Sequence, residues 1–279
     1  MSNHSYSTVV SIVMPTFNRS ATIGLAIESV LKQTYTNWEL IIIDNESSDN
    51  TSIVVKKYAE NDSRIKYHFV SKSKIPGITE YLNYGIQLSL GKYIARLDDD
   101  DEWCDSKKLE KQVKFLEQDF NFVLVGGGAI MVDGNRIPIY KFFKREYDYE
   151  IRNHALYANP FWHNTVMFRK DKAIEIGCYK NYKFVEDWDL WLRLGRLGKF
   201  YNFQEHFSLY MNAGQNISTS NQTLAAKTIL KLITEYKSEY PNFYKAYLLN
   251  YFQFLFSLLP STLKNKTQNF LFYIKRNYF

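Results

Sequence analysis

Four consecutive aspartates, Asp98–Asp101, are the residues of this 279-residue chain that most directly suggest chemistry. Adjacent carboxylates repel one another, and a hard divalent cation such as Mg²⁺ or Mn²⁺ relieves the repulsion while keeping coordination sites for diphosphate oxygens. In an extended segment Asp98 and Asp100 would point the same way. The alternative is a solvated acidic turn. Because the run directly follows the apolar segment 93–97 (YIARL), we expect a metal site here.

Two further polar clusters follow apolar runs. Asp44 ends the run WELIII and opens the segment DNESSDNT, whose carboxylates, hydroxyls and amides could recognise a base or a ribose. Ser48 or Asp49 could alternatively cap the next helix. Residues 15–19 (PTFNR) close the run VVSIVM, where Phe17 could stack on a base or pack in the core, and Arg19 could meet a phosphate.

An acidic pair, Glu186 and Asp187, precedes the segment WDLWLRLGRLGK. Such a pair can cap a helix and interact with its dipole, which is the reading that the residues alone favour. The functional alternative is a general base that deprotonates an acceptor hydroxyl. His163 is expected to be a hydrogen-bonded structural residue, and Cys104 and Cys178 to be reduced thiols, since no metal-binding or nucleophilic arrangement accompanies them.

The elements that must position these groups alternate along the first hundred residues. Short apolar strands are predicted at 9–14, 38–43, 65–70 and 93–97, with helices at 20–33, 50–59 and 78–90. This pattern predicts an α/β fold with a mostly parallel sheet covered by helices on both faces. Ligands bind at the carboxyl ends of such strands, so the three polar clusters should converge on one crevice.

The rest of the chain is less regular. We predict a helix at 107–117, a strand with a bend at 122–132, a strand at 161–169 and a helix at 187–197. From Gln222 the pattern is helical to the end, interrupted by Pro241 and Pro260. A polar stretch near 215–222 divides a catalytic domain, 1–220, from a C-terminal helical extension, 221–279.

The net charge of +6 resides in the extension, which has eight Lys or Arg and two Glu, whereas residues 1–220 are neutral. A uniformly basic nucleic-acid-binding protein would differ, so no nucleic-acid partner is expected. The sequence shows no signal-peptide pattern and no apolar run of about 18 residues that could span a bilayer. These features predict a cytoplasmic location.

Taken in order, the segments resemble a family 2 glycosyltransferase with the GT-A fold, over about residues 8–212. The matching stretches are VSIVMPTFNR, LIIIDNESSDNT, GITEYLNYGI…GKYIARLDDDDEW, LEKQVKFLE, NPFWHNTVMFRK and EDWDLWLRL. The resemblance implies inverting transfer of a sugar from a nucleotide-diphosphate donor, a UDP-sugar in the first instance, to a hydroxyl of a glycan or lipid-linked acceptor. It also implies Mn²⁺ or Mg²⁺ as cofactor and a role in bacterial surface polysaccharide synthesis. By the same resemblance, residues 1–101 would form the nucleotide-sugar-binding half of the catalytic domain and 102–220 the acceptor half.

The resemblance also implies roles for particular residues. Asp98 would lie near the ribose and with Asp100 at the metal, Asp101 would be structural, and Asp187 would be the catalytic base with Glu186 beside it. The remaining donor-binding residues would be Pro15, Thr16, Phe17, Arg19, Asp44, Asn83 and Asp99. Two departures stand out: Asp44-Asn45-Glu46-Ser47 replaces the common Asp-Asp-Gly-Ser, and Phe17 replaces the common Tyr.

Two other functions and two roles of the extension stay open. A sugar nucleotidyltransferase would also use metal-binding acids, although it usually has a Gly-rich basic loop after the first strand; a non-catalytic carbohydrate-binding or scaffold protein is the other alternative. Residues 245–279 combine an aromatic apolar stretch with Lys264, Lys266, Lys275 and Arg276. They predict either a peripheral contact with the cytoplasmic face of the inner membrane, or helices that pack on the catalytic domain or form an oligomer interface.

Overall fold

The computed structural model describes residues 9–71, 77–211 and 221–260. Nine strands in this part of the chain form one mixed sheet, in the order β3-β2-β1-β4-β8-β6-β9-β5, and β7 pairs with residues 129–132 of β6, beyond the residues that pair with β8. The strands are β1 (Val10–Thr16), β2 (Trp38–Asp44), β3 (Ile65–Phe69), β4 (Tyr93–Arg96), β5 (Glu102–Trp103), β6 (Phe122–Val132), β7 (Pro138–Phe142), β8 (Met167–Arg169) and β9 (Lys199–Met211).

Helices flank the sheet. They are α1 (Ile23–Leu31), α2 (Thr51–Asn61), α3 (Ile78–Leu88), α4 (Lys108–Gln118), α5 (Asp148–His154), α6 (Lys170–Glu175), α7 (Glu186–Leu194), α8 (Gln222–Glu235) and α9 (Phe243–Ser257), with a 3₁₀ turn at His163–Thr165. Cys104 and Cys178 form no disulfide. No helix among the described residues is both long and apolar enough to cross a membrane.

The amino-terminal half confirms the predicted parallel sheet. Strands β3, β2, β1 and β4 run parallel, and Thr16 of β1 is the register partner of Asp44 of β2. Both faces of β1 and β2 are buried because helices cover each side, as the continuous apolar runs predicted. The carboxyl ends of β1, β2 and β4 therefore open toward the same edge, where the polar clusters follow.

Two local predictions are wrong. The aspartates are not extended: the chain turns at Asp98–Asp101, and the Asp101 amide donates to the Asp98 carbonyl at 3.3 Å. The strand predicted at 161–169 is a 3₁₀ turn followed by the three-residue β8. Its first half leaves the sheet because Asn164 and Thr165 bond to the distant residues Asp101 and Gly127, which no local pattern reveals.

The predicted bend in the strand at 122–132 is confirmed. The pairing of β6 with β9 shifts register on both sides of Gly128. A Cβ atom added at Gly127 would lie 2.4 Å from the Phe207 ring, so this bend needs a residue without a side chain.

Helices α8 and α9 pack on the catalytic body. This packing is one of the two roles that the sequence left open for the extension. Leu232, Ile233 and Tyr236 share a buried cluster with Trp188 and Leu192 of α7. The boundary predicted at 215–222 lies mostly outside the described residues, and the division into domains stays a prediction.

Candidate active site

Asp44 is fixed at the end of β2 by two hydrogen bonds. Its side chain is buried, Oδ1 accepts from the Ser47 amide at 2.9 Å, and Oδ2 accepts from the Tyr67 hydroxyl at 2.6 Å. The Asn45 amide donates to the Thr16 carbonyl at 2.9 Å, which carries the β1–β2 pairing into the loops. Pro15, Thr16 and Asp44 therefore lie side by side at the sheet edge, as predicted from their strand ends.

The loops after β1 and β2 hold each other in place. The Asn18 amide donates to Ser47 Oγ at 2.9 Å, and the Ser20 amide donates to Asp49 Oδ2 at 3.0 Å. Asp49 also accepts from the Thr51 amide at the start of α2. Although burial opposes the change, these hydrogen bonds from Thr51 and Ser20 lower the pKa of Asp49. Asp49 therefore satisfies the first amide of α2 from the position before the N-cap residue Asn50, while Asp44 lies at the end of β2.

The aspartate turn meets the loop after β1. The Phe17 amide donates to Asp99 Oδ2 at 3.3 Å, while the Arg19 guanidinium lies 3.5 Å from Asp99 Oδ1 and 3.6 Å from Asp100 Oδ2. The Phe17 side chain is 40% exposed beside this contact. Burial raises the pKa of Asp99 to about 7, and burial together with the charge of Asp98 raises that of Asp100. The turn is thus a cluster of carboxylates that would be stabilised by added positive charge.

Asp101 has the structural role that the family resemblance implied. Its carboxylate is buried and accepts from the Met211 amide at 2.8 Å and from Asn164 Nδ2 at 2.5 Å. These bonds join the turn to the end of β9 and to the 3₁₀ turn. Asp98 and Asp100, on either side of Asp99, are less buried than Asp101, with about a third of each side chain exposed (36% and 32%).

The residues of the turn fit a divalent metal only in company with a ligand. Among the described residues, no group of three or more His, Cys, Asp or Glu side chains could hold an ion alone. Mg²⁺ and Mn²⁺ commonly bind through one or two protein carboxylates plus substrate phosphates. The turn offers the carboxylates, and a bound diphosphate would supply the remaining oxygens.

The acidic pair opens α7 close to the aspartate turn. Asp187 Oδ1 accepts from the Trp188 amide and Oδ2 from Asn159 Nδ2, each at 2.7 Å. Burial raises the pKa of Asp187 to about 6 despite these bonds, and burial with the Asp187 charge raises that of Glu186 to about 7. The charge of Asp98 contributes to both increases in pKa, so the acidic pair lies within electrostatic reach of the aspartate turn.

A buried arginine links the turn to the 3₁₀ turn. Arg96 Nη2 donates to Asp98 Oδ1 at 2.7 Å, and Nε donates to His163 Nε2 at 3.1 Å. Because arginine can only donate, His163 must be unprotonated at Nε2. Burial, assisted by the Arg96 charge, lowers the pKa of His163 to about 3, and the Tyr179 hydroxyl lies 2.9 Å from the same nitrogen. His163 is thus the hydrogen-bonded structural residue that the sequence predicted.

Asn83 is the predicted donor-binding residue whose amide is already used within the protein. Its Nδ2 donates to the Tyr179 carbonyl at 2.8 Å, and its Oδ1 accepts from the Tyr179 amide at 2.9 Å. A direct contact between Asn83 and the donor stays a prediction.

Sequence reasoning missed Arg96 and Asn159. For Arg96 a signal existed, since an arginine inside the apolar strand YIARL demands a partner. For Asn159 the only hint was its place before Pro160, and its contact with Asp187 spans 28 positions.

Known proteins share this fold. S. aureus TarS 1–349 in complex with UDP-GlcNAc superposes with a TM-score of 0.68 at 16% identity, covering 88% of this chain and 73% of that one. A mannosyltransferase from Pyrobaculum calidifontis, PcManGT, in complex with GDP-Man and Mn²⁺ superposes with a TM-score of 0.64 at 17% identity, covering 88% and 69%. The mixed sheet with its flanking helices is that of GT-A glycosyltransferases.

Sequence comparison identifies the family. Residues 11–177 match the model of glycosyl transferase family 2. The putative glycosyltransferase EpsE of Bacillus subtilis is 34% identical over 201 residues, covering 70% of each chain. The putative teichuronic acid biosynthesis glycosyltransferase TuaG of the same species is 30% identical over 230 residues, covering 80% of this chain and 87% of its own. This chain belongs to glycosyl transferase family 2. It is a glycosyltransferase, and neither the nucleotidyltransferase nor the non-catalytic alternative finds support.

Proposed function

We propose that this enzyme transfers a sugar, with inversion, from a UDP-sugar to a hydroxyl of a glycan or lipid-linked acceptor in bacterial surface polysaccharide synthesis. One observation carries the proposal: Asp44, the aspartate turn and the acidic pair, which are far apart in sequence, meet at one edge of the sheet. The names of the relatives support the biological setting. One of them, WfgD of Escherichia coli, is described as a UDP-Glc:α-D-GlcNAc-diphosphoundecaprenol β-1,3-glucosyltransferase; it is 39% identical over 129 residues, 46% of this chain and 49% of its own.

The nucleotide would bind where β1 and β2 end. Pro15, Thr16 and the exposed Phe17 ring offer surface to the base, and Asp44 is oriented by Tyr67 and Ser47. Asp98, held by Arg96, and Asp99 would lie toward the ribose. Arg19 lies 3.5 Å from Asp99 and 3.6 Å from Asp100, so its charge would lie beside a diphosphate bound at the turn.

Asp100, with Asp98, would hold Mn²⁺ or Mg²⁺ together with the diphosphate. A bound divalent ion supplies positive charge that stabilises the departing nucleoside diphosphate. Replacing Asp100 with alanine should remove nearly all transfer while the fold is retained. Full activity of Asp100→Ala in EDTA would refute the metal assignment.

Asp187 would act as the general base. Asn159 and the Trp188 amide fix its carboxylate, and its pKa of about 6 keeps it mostly ionised at neutral pH yet basic enough to accept a proton. The acceptor hydroxyl would give its proton to Asp187 as its oxygen attacks the anomeric carbon from the face opposite the leaving diphosphate. No covalent enzyme intermediate is needed.

The C-terminal extension would bring the enzyme to a membrane surface where a lipid-linked acceptor is found. Helix α9 packs on the body through Ala246 and Asn250, whereas Leu248, Phe252 and Leu258 are more than half exposed. The chain beyond the described residues adds four basic residues and no acidic one. An apolar helix face continued by positive charge is typical of interfacial binding.

The test of the proposed function is a donor panel. The purified protein is incubated with Mn²⁺ and UDP-Glc, UDP-GlcNAc or GDP-Man, and nucleoside diphosphate release is measured before and after adding candidate acceptors. We expect slow release from one UDP-sugar that an acceptor accelerates, and a product of inverted anomeric configuration by proton NMR. No release from any donor, or a product of retained configuration, would contradict the proposal.

A further inference from the structure

Four aromatic rings, from β7, from the segment before the 3₁₀ turn and from the end of β9, form a continuous ladder. The ring centroids of Tyr140 and Phe142 lie 5.8 Å apart, those of Phe142 and Trp162 5.5 Å, and those of Trp162 and Tyr210 5.9 Å. Successive ring planes are inclined by 49°, 46° and 43°, so the rings do not stack on one another. We call these four residues the aromatic ladder.

The ladder is connected to the proposed site at two of its rings, Trp162 and Tyr210. Lys144 Nζ lies 4.8 Å from the Trp162 ring centroid and donates to the Asn159 carbonyl at 2.8 Å. Asn159 in turn donates to Asp187, the proposed base. At the other side, Tyr210 precedes Met211, whose amide binds Asp101 of the aspartate turn. The ladder therefore runs along the side of the site that is formed by the second half of the chain.

None of these four rings is fully buried in the core. Tyr140 is 41% exposed, and Phe142, Trp162 and Tyr210 are partly exposed. The chain has five tryptophans, and the other four, Trp38, Trp103, Trp188 and Trp191, are buried. Trp162 is thus the one tryptophan that a ligand could contact; it precedes His163 in the chain and is connected to Asp187 through Lys144 and Asn159.

We propose that the aromatic ladder is the platform on which the acceptor sugar binds; this inference rests on the proposed glycosyl transfer. The C–H face of a pyranose ring is apolar with a slight positive charge, which complements the negative face of an aromatic ring. Ligand sites typically combine such aromatic surface with a few polar groups that fix orientation. A sugar lying over Trp162 would turn a hydroxyl toward Asp187, and further units of a glycan would extend toward Tyr140.

Binding can be tested without turnover, because Trp162 is the accessible fluorophore. Octyl glycosides of glucose, N-acetylglucosamine and galactose are titrated into the protein, with UDP and Mn²⁺ present, while tryptophan emission is followed. We expect at least one glycoside to change the emission with saturation, and this change to vanish in Trp162→Phe. No saturable change with any of the three glycosides would overturn the inference, whatever the donor assay shows.

Kinetics then separate this platform from a structural role. Tyr140→Ala and Trp162→Ala should raise KM for the acceptor by about two- to tenfold, as expected for the loss of one ring contact, while acceptor-independent UDP release is unchanged. Trp162→Phe should recover most of the affinity, and Tyr149→Ala, an exposed tyrosine of α5 outside the ladder, should behave as wild type. If Trp162→Ala does not fold, the exposed Tyr140 still decides the matter.

The outcomes distinguish the two proposals. A protein that releases no UDP and transfers no sugar contradicts the proposed function, while the fluorescence titration still reports on the ladder. A protein that transfers sugar with unchanged acceptor KM in Tyr140→Ala and Trp162→Ala contradicts the platform alone. Equal losses of UDP release and transfer in the ladder variants would assign them a structural role and also overturn it.

Discussion

At the scale of single residues, the site is defined by carboxyl groups that burial makes less acidic. The pKa of Asp187 is raised to about 6 and those of Glu186 and Asp99 to about 7, with burial as the first cause in each case. Groups shifted toward neutral pH are suited to exchanging protons, and their hydrogen-bond partners decide which one does so. Asp187 is held by two donors, which distinguishes it from its neighbour.

Replacing Asp187 with asparagine should preserve donor binding and lower the turnover number by about 10²–10⁴-fold, the usual contribution of a general base. Turnover is measured by UDP release with acceptor, and donor binding by calorimetry. Glu186→Gln is the matched variant and should lose far less. If the Glu186 variant is the inactive one, or if Asp187→Asn unfolds while its folded fraction works normally, Asp187 is a helix cap and not the base.

The same raised pKa values predict how stability depends on pH. A carboxyl group whose pKa is higher in the folded than in the unfolded protein binds more protons in the folded state between the two values. These carboxyl groups therefore decrease the free energy of unfolding as pH rises from about 4, the unfolded value of Asp and Glu, to about 7. His163, whose pKa is lowered to about 3 by burial, acts in the opposite direction up to the ordinary histidine value of about 6.5. Because it is one group against the three carboxyl groups named above, we expect a net decrease. Thermal melts across this range check the direction.

A divalent cation should oppose this loss, since it binds the ionised turn. Adding Mn²⁺ with UDP at pH 7.5 is expected to raise the melting temperature, and Asp100→Ala should abolish much of that increase. A melting temperature that rises steadily from pH 4 to pH 7 would show that these carboxyl groups are not the dominant titrating groups.

Sequence reasoning located the carboxylates of the site but not the residues that orient them. Asp44 and the aspartate run were predictable because they end apolar strands whose carboxyl ends must meet. Asn159 and Arg96 act through partners 28 and 67 positions away, and such contacts depend on tertiary structure. The ladder was hidden for the same reason, because it joins β7, the segment before the 3₁₀ turn, and the end of β9.

At the scale of elements, strands and helices were predicted correctly where apolar residues recur regularly along the segment. Strand β6 was predicted with its observed bounds, 122–132, because its apolar pattern is interrupted only by the three glycines. The segment 161–169 was predicted as one strand from the same kind of pattern, but side-chain hydrogen bonds from Asn164 and Thr165 favour a turn. Periodicity alone does not show which polar residues will find distant partners.

Helix α3 packs closely on β1, and the close approach depends on Gly85. A Cβ at this position would lie 2.4 Å from Val13 Cγ1, so Gly85→Ala must push the helix off the strand. Alanine is favoured over glycine inside a helix by about 0.8–1.0 kcal/mol, whereas overpacking costs about 1–3 kcal/mol. We therefore expect a net loss of unfolding free energy, measured in urea.

Gly134 supplies the control for that measurement, since a Cβ there would meet nothing within 4 Å. Gly134→Ala should leave the urea midpoint nearly unchanged. A Gly85→Ala protein more stable than wild type would mean that helix propensity outweighs the close approach and that α3 can move without cost.

At the scale of the whole molecule, charge and apolar surface are concentrated in the same region. The body up to residue 220 is neutral, and the extension carries the net charge of +6. Helices α8 and α9 attach this region to α7 through a buried cluster and through the Arg196–Glu239 ion pair. The region that we propose to bind a membrane surface is therefore attached to the helix that begins with the acidic pair.

Vesicle flotation tests whether this region binds membranes. Binding to anionic vesicles should weaken on removal of residues 261–279, because each of the four lost basic residues contributes roughly 1 kcal/mol near an anionic surface. Leu248→Ser with Phe252→Ser should also weaken it, because both side chains are more than half exposed on α9.

Truncation at residue 245 would be uninformative, since Ala246 and Asn250 are buried against the body. Ile53→Ser, an exposed aliphatic residue on the neutral body, is the control and should float as wild type does. A wild-type protein that stays unbound at low salt would contradict membrane binding, as would unchanged flotation of both the truncated and the doubly substituted protein.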